Sequence, residues 1–471
     1  AVGGTIGGEQ GMGLSRSAFF QNRFPEFAAV CTEVKRLFAP LGILNPGKIV
    51  PPLATDSEAP QESIGFRPPL SATASAPLPV LRWSGEQLVD EVDACNGCGA
   101  CRGHGPAMRM CPRYRENPAE EASPRAKANL MAALLAGRLD AKALESEAVT
   151  AITDTCFNCH QCRVDCSAGV DIPAIVMDLK GAQVAANGLR WTPWLLSRVD
   201  TLSAVGGAVR PLANAAFADP RARWLMEKLL GIARGRKLPP FAGGQFMRWA
   251  ARRGLTRPSR RSGPRVLYFL DTFARRHDPL LAQAFVSVLE RNGIGVFVDP
   301  RQVAAGMPLV SEGDLEAARK AARTNMRVLA EAVRLGYRIV STEPAAVTCI
   351  THDYPLLVDD DDMQRVVAAT CDAMTFLWEL HREGRLRLDF HPLPGRLLYH
   401  TPCHARLAGG GSHAEHLLKL IPGLDLQAAD HGCSGMAGTF GLSREHHRAS
   451  LRAGLPLANA IRGGGIEAGA T

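Results

Sequence analysis

Eight of the 13 cysteines in this 471-residue chain fall into two runs: Cys95-x-x-Cys98-x-x-Cys101 followed by Cys111-Pro112, and Cys156-x-x-Cys159-x-x-Cys162-x-x-x-Cys166. Three thiolates at two-residue spacing wrap one corner of a four-iron, four-sulfur cubane, and the fourth Cys of each run can ligate the other cluster. Crossed ligation is therefore expected. One cluster would take Cys95, Cys98, Cys101 and Cys166, the second Cys156, Cys159, Cys162 and Cys111. Gly97, Gly99 and Gly103 leave room for the backbone to fold round sulfur and to present N–H groups to it. Structural zinc is the alternative, but paired Cys-x-x-Cys would suffice for it, and the redundant third Cys of both runs argues for iron and sulfide. Ser167 stands where a proline often follows the fourth Cys, which bears on loop rigidity more than on ligation. His160 has no required place in a cubane shell and is expected beside it at most.

Other residues carry weaker chemical signals. Cys403, in Thr401-Pro402-Cys403-His404, and Cys433, in Cys433-Ser434-Gly435-Met436, are two thiols that do not close a metal site by themselves. Either they belong to a third centre with ligands beyond Thr471, or they are buried reduced thiols. Cys31, Cys349 and Cys371 are isolated in apolar or helical surroundings, as core residues would be. The opening Gly3-Gly4-Thr5-Ile6-Gly7-Gly8-Glu9-Gln10-Gly11-Met12-Gly13 is glycine-rich around Glu9 and Gln10, and a turn with a solvated Glu is the lesser of its two readings. Between Arg221 and Arg265 there are 13 Lys or Arg against Glu227 alone, a local +12 in a chain whose net charge is +8. Trp191, Trp194, Trp224 and Trp249 lie in or beside that stretch, with Leu195, Leu196, Leu225, Leu229 and Leu230. Such a mixture suits an anionic membrane surface. It equally suits helices that pack domains together with a solvated basic face. Nucleic acid is the poorest fit, since no recognisable binding fold accompanies the charge.

The elements that must position these residues follow from periodicity and punctuation. A helix over about 25–38 precedes the turn Asn45-Pro46-Gly47, and seven prolines between Pro51 and Pro79 mark an extended linker. Ser84 and Gln87 have capping-box spacing ahead of a helix that feeds into Cys95. Ser123-Pro124 starts a second helix, with Leu130, Met131, Leu134 and Leu135 on one face, and Asp171 a third that ends near Gly188. Beyond the basic stretch, short apolar strands alternate with helices: 266–270, 294–298, 338–341, 396–400 and 424–427. Val266-Leu267-Tyr268-Phe269 matches Leu397-Leu398-Tyr399-His400, and Ala305-Gly306-Met307 matches Ser434-Gly435-Met436, so one unit occurs twice. The second copy is expected to be cut short at the end of the chain.

The fold class expected is multidomain α+β. Its order is the end of one domain over 1–50, a linker over 51–83, a mainly helical iron–sulfur module over 84–190, a basic helical connector over 191–263, and α/β repeats over 264–395 and 396–471. Ala1-Val2-Gly3-Gly4-Thr5 has neither Met nor the features of a signal peptide, so a fragment is expected. Mean hydropathy is −0.04 and no window offers the 18 or so unbroken apolar residues of a spanning helix. An odd cysteine count crowded into two runs is unlike a secreted disulfide scaffold, so a reducing, cytoplasmic setting is expected, with peripheral contact at the inner face of the cell membrane if the basic stretch meets lipid.

Two such cysteine runs joined by helices resemble the α-helical ferredoxin module of succinate dehydrogenase and anaerobic glycerol-3-phosphate dehydrogenase iron–sulfur subunits. Gly4-Thr5-Ile6-x-Gly8-Glu9-x-Gly11-x-Gly13 and Leu44-Asn45-Pro46-Gly47-Lys48 are similar to the C-terminal end of FAD-linked 2-hydroxyacid oxidases and dehydrogenases. The α/β repeats resemble the cysteine-rich modules of heterodisulfide reductase and of glycolate and glycerol-3-phosphate dehydrogenase subunits. Ser434 replaces one expected Cys, and Thr272 and Ala304-Ala305 replace the ligands of the first copy, which becomes scaffold. Together these resemblances imply the C-terminal part of a fused FAD and iron–sulfur oxidoreductase of the glycolate, D-lactate or D-2-hydroxyglutarate type. They imply FAD bound mostly upstream, with Asn45 near it, and two 4Fe-4S clusters carrying electrons from a 2-hydroxyacid to a quinone or other acceptor. The family tetrad is Gly-Glu-His-Gly; here Gly8-Glu9-Gln10-Gly11 leaves Glu9 as a carried-over site residue and Gln10 as a substrate contact that cannot act as a general base near neutral pH. The alternatives are a dedicated iron–sulfur carrier related to heterodisulfide reductase subunits, and a zinc-stabilised interaction protein.

Overall fold

In the computed structural model the described residues are 11–13, 16–41, 44, 48–50, 80–105, 109–259, 263–429, 432–463 and 468–470. They fall in two units, Ala1–Leu70 and Ser71–Thr471. The first contains helices Ser17–Arg23 and Pro25–Phe38, joined where Pro25 starts the second. Phe20 packs on Phe24 and Phe27 at their junction. Ser17 donates its hydroxyl to the Gly13 carbonyl at 2.6 Å and accepts from the Ile49 N–H at 2.9 Å, fastening the ends of this hairpin together. Glu9, Gln10 and Asn45 lie outside the described residues.

The second unit begins with residues that are tied down. Asp178 accepts from the backbone N–H groups of Val80 and Leu81 at 2.6 and 3.1 Å and from Trp83 Nε1 at 3.0 Å. Three donors satisfy a carboxylate that burial would otherwise make costly. Helix Gly85–Asp93 follows, with Ser84 and Gln87 forming the reciprocal capping box and Leu88 and Val92 turned inward. Ser123 caps Pro124–Leu135, and Asp171 caps Ile172–Asn187, which stops at Gly188 in a positive-φ conformation that favours glycine. Helix Pro124–Leu135 packs against both of the others, and Leu88, Leu130, Leu134, Ile175 and Leu179 are buried. Each such side chain contributes about 1.5–3 kcal/mol by leaving water.

Five helices make up the basic region: Trp191–Ser197, Val199–Ala208, Arg210–Ala218, Pro220–Leu230 and Gln245–Arg252. Part of its charge is structural. Arg223 is buried and donates to the carbonyls of Ala233 and Arg236 at 2.6 and 2.8 Å, Arg236 reaches Gly441 and Ser450, and Arg253 pairs with Glu290 while lying over Trp249.

Then come two parallel sheets. Strands β1 (Arg265–Tyr268), β2 (Gly295–Phe297), β3 (Arg338–Ser341) and β4 (Thr370–Asp372) stand in the order β2-β1-β3-β4. Strands β5 (Gly395–Tyr399), β6 (Leu424–Ala428) and β7 (Ala468–Ala470) stand in the order β6-β5-β7. The second sheet thus repeats the first three positions of the first. Val266, Leu267 and Tyr268 are wholly buried, as strands covered by helices on both faces must be. β4 is three residues long and has no alternating pattern, and the sequence pattern did not reveal it. The architecture is mostly helical with small parallel sheets, the α+β class expected. Among the described residues no helix is long and apolar enough to cross a membrane.

Candidate iron–sulfur site

The eight cysteines line two cavities inside the helical module, each with just under 400 Å³ of space including its opening. The first, about 390 Å³, is bordered by Cys95, Cys98, Cys101, Cys162 and Cys166. The second, about 380 Å³, is bordered by Cys111, Cys156, Cys159 and Cys162. Cys111 and Cys166, the fourth Cys of each run, are therefore exchanged between the runs, and Cys162 sits on the wall between the cavities. Crossing has a local cause that sequence reasoning missed. Asp165, in the short helix Gln161–Asp165 of the second run, accepts from the N–H groups of Arg109 and Met110 at 2.7 and 2.8 Å. That clasp holds the loop of the first run where Cys111 faces the second cavity.

Backbone handedness explains how each run wraps. Gly97 and Gly99 have φ of +70° and +75°, and at the equivalent places in the second run Asn158 and His160 have φ of +50° and +56°. All four are in the left-handed region that lets successive thiols converge, and only glycine reaches it without strain. Ser167 Oγ lies 3.7 Å from Cys98 Sγ, and hydrogen bonds from Ala100 N–H and from Ser167 hold that thiol below its ordinary pKa. In the second cavity burial dominates. It pushes Cys111 up to about 12, with Cys159 adding repulsion, and it raises Cys156 and, further, Cys162. Four thiols crowded out of water cannot ionise together unless a multiply charged cation load sits among them, and a cubane of iron and sulfide supplies one. The donor set fits.

Both cavities receive a basic side chain from the first turn of helix Pro124–Leu135, which contains no acid. Arg125 borders the first, paired with Glu120 at 2.7 Å and raised above its usual pKa chiefly by that bond. Lys127 is buried at the second, donating to the Glu121 carbonyl and to Thr155 Oγ1; burial lowers its pKa while Cys111 and Cys156 favour its charge. Cations at a helix N-terminus oppose the helix dipole unless anions face them. Arg and Lys just after Ser123-Pro124 were the signal available in the sequence.

Cys403 and Cys433 come from the second α/β repeat and line a small separate cavity with Arg109, Pro112 and Gln161, next to the second run. Gln161 donates to the Cys403 carbonyl at 2.9 Å, and both thiols pack beside Cys159 and Phe157. Hydrogen bonds to Cys159 and to Cys433 push Cys403 well up, and the bond from Cys403 lowers Cys433. His160 is fully buried against His352 and His404, with rings 4.8 and 5.6 Å away, and neither ring nitrogen finds a partner among the described residues. Cys349 and Cys371 are buried as core thiols, while Cys31 is half-buried.

Comparison with known proteins agrees with this geometry. The 4Fe-4S dicluster domain matches residues 94–171, and the C-terminal domain of FAD linked oxidases matches residues 1–49. The C subunit of the anaerobic glycerol-3-phosphate dehydrogenase of Escherichia coli (strain K12) is 31% identical over 277 residues, 58% of this chain and 68% of that protein. The chain belongs to the family of that dehydrogenase component. This family member is also 24% identical to the D-2-hydroxyglutarate dehydrogenase of Pseudomonas putida over 486 residues, 93% of this chain but 46% of that protein, so it spans about half the length of that relative. Lactate utilization protein A of Geobacillus thermodenitrificans is 30% identical over 168 residues, 34% of this chain and 67% of that protein. The resemblance read from the cysteine runs and the glycine-rich opening is borne out. This is an oxidoreductase chain that transfers electrons in a flavin and iron–sulfur dehydrogenase, and the dicluster match favours iron over zinc.

Proposed function

We propose that the chain carries electrons, one at a time, from an FAD-linked domain that oxidises a 2-hydroxyacid, through two 4Fe-4S clusters with crossed ligands, to a quinone or other acceptor. Flavin chemistry yields an electron pair, and two one-electron centres in series divide it. The observation that carries the reading is the division of eight thiols between two neighbouring cavities, with Cys111 and Cys166 exchanged. Cys95, Cys98, Cys101 and Cys166 hold one cluster, and Cys156, Cys159, Cys162 and Cys111 the other. Cys403, half-buried, and Cys433, buried, are reduced thiols rather than a third centre, because the further sulfur packed beside them, Cys159, is already a ligand. Glu9 and Gln10 contact substrate or metal, and Asn45 lies near FAD, as the similarity to the FAD-linked oxidases suggests. Iron and sulfide analysis after anaerobic reconstitution should give about eight of each per chain. Stoichiometric zinc without sulfide would overturn the reading.

The basic stretch from Trp191 to Arg265 forms a peripheral contact with anionic lipid. Trp191 and Trp194 are stacked at 5.4 Å and exposed, and Val205, Leu212, Trp224 and Leu229 also face solvent, beside basic side chains such as Arg210 and Arg221. Each basic residue near such a surface contributes about 1 kcal/mol, and salt screens it. Flotation with anionic liposomes should therefore succeed at low salt, weaken at high salt and fail with neutral vesicles; equal flotation with both kinds would discard the contact.

A further inference from the structure

Cys403 and Cys433 leave the same end of one sheet. Strands β5 and β6 pair in parallel, and each thiol stands just beyond its strand, one past Tyr399 and the other past Ala428. The two thiols are hydrogen-bonded to each other, and Cys403 also to Cys159 of the second run. Their surroundings hold them there. Gln161, between Cys159 and Cys162, donates to the Cys403 carbonyl at 2.9 Å, and the adjacent His404 Nε2 lies 2.9 Å from the Asn158 carbonyl. On the other side the Gly435 N–H donates to Cys433 Sγ at 3.2 Å. A core does not need such a pair: Cys349 and Cys371 are each the only cysteine of their core clusters among the described residues. The small cavity at the pair is lined by Arg109 and Arg406, the latter 3.8 Å from Asp165. Basic, partly exposed surroundings distinguish reactive thiols from inert ones. Cys403 is half-buried, so water can reach the pair, while Cys433 is 6% exposed.

We propose that Cys403 and Cys433 are a redox-active pair, cycling between two thiols and a disulfide, that stores two electrons beside the second cluster. The inference rests on the reading of the chain as an electron carrier. On reduction the S–S bond takes two electrons, which the 2-hydroxyacid gives up on becoming a 2-oxoacid, and two protons from water, and it breaks into two S–H groups. On oxidation both S–H bonds break and the S–S bond forms again. Two protons then return to water, and the electrons pass to the quinone or other acceptor of the dehydrogenase. Contact between Cys403 and Cys159 gives the electrons a sulfur-to-sulfur route to the ligands of the second run. A dithiol exchanges two electrons where a four-iron cluster exchanges one, so the pair divided at the flavin is reassembled here.

The test uses the reconstituted full chain, equilibrated anaerobically with oxidised or with reduced dithiothreitol, then denatured, alkylated and digested with trypsin. Mass spectrometry should find the peptides of Cys403 and Cys433 joined by a disulfide in most of the oxidised sample and separately alkylated in the reduced one, with Cys349 and Cys371 alkylated in both. Titrated with dithionite, the oxidised chain should take up about four electrons, two more than its two clusters need. Cys433→Ser should take up about two, with iron and sulfide still at about eight each. The peptide analysis is made on the wild-type chain, so the test stands even if the variant fails to fold. No joined peptide and an uptake of two electrons in the wild type would overturn the pair. Iron near twelve per chain, falling to eight in Cys433→Ser, would also overturn it, because the thiols would then hold a third cluster. A chain that forms the joined peptide but holds no iron or sulfide would overturn the electron-carrier reading and leave the dithiol standing.

Discussion

The two cysteine runs share one backbone path and differ in what lies over them. In the first, the left-handed positions are Gly97 and Gly99; a Cβ at Gly97 would meet nothing within 4 Å, and Cys98 is exposed. In the second, Asn158 and His160 accept the strain of positive φ, and their side chains are buried against the α/β half. Asn158 Nδ2 lies 3.2 Å from both Met307 Sδ and Ser311 Oγ, and its carbonyl is 2.9 Å from His404 Nε2. Gln161 binds the Cys403 carbonyl. One run is built from residues without side chains and faces water; the other uses the same turns to dock a second layer. Where glycine is absent from a turn that favours it, a contact has been gained in return.

The largest effect should come from the crossing itself. Cys111→Ser should remove the centre in the second cavity and spare the first, so that iron and sulfide fall from about eight to about four per chain. Loss of the first centre instead would mean that each run is self-contained. The covered run should also be the more durable one. Exposed to ferricyanide or chelator, wild-type protein should lose iron in two phases, and paramagnetic resonance should assign the fast phase to the cluster of Cys98. Asn158→Gly relieves about 1 kcal/mol of left-handed strain but loosens the cover, so it should bring the two phases together. A single phase in the wild type would show that the α/β layer gives no protection.

Much of this was legible in the residues. Thiol spacing alone singled out the candidate ligands, since a cubane demands thiols at close, repeated intervals, and the capping residues Ser84, Ser123 and Asp171 stand where the helices start. The repeat was visible because β1 and β5 carry the same apolar run. What stayed hidden depended on contacts across long stretches of chain. Asp165 looks like any surface acid until its bonds to the 109–110 backbone are seen, and Lys127 looks like a solvated helix residue until Thr155 and the second cavity surround it. β4 escaped because three residues, Thr370, Cys371 and Asp372, are too few to show a period.

The smallest effect concerns how the cover is fastened. His352, in the turn Cys349–Asp353, lies 2.7 Å from Asp171 of the helical module through Nε2 and 2.7 Å from Asp353 through Nδ1. Burial alone would lower its pKa, but the bonds to these two carboxylates outweigh burial and lift it to about 9. For Asp171, burial works the other way, yet the His352 bond and the charges of His352 and Arg163 bring its carboxyl below the usual range. The neighbouring rings His160 and His404 are held neutral by burial, so they add no competing cation at neutral pH. A folded pKa above the unfolded value near 6.5 means that stabilisation is present in full below about pH 6.5 and is lost as pH rises through about 9. Its ceiling is on the order of 3 kcal/mol. His352→Gln, neutral at every pH, should therefore melt several degrees below wild type at pH 6, and the gap should shrink steadily towards pH 9.5, at about 2–4 °C per kcal/mol. A gap that does not change with pH would mean that His352 contributes shape alone, and the docked layer would then be held by the Asn158, Gln161 and His404 bonds without help from charge.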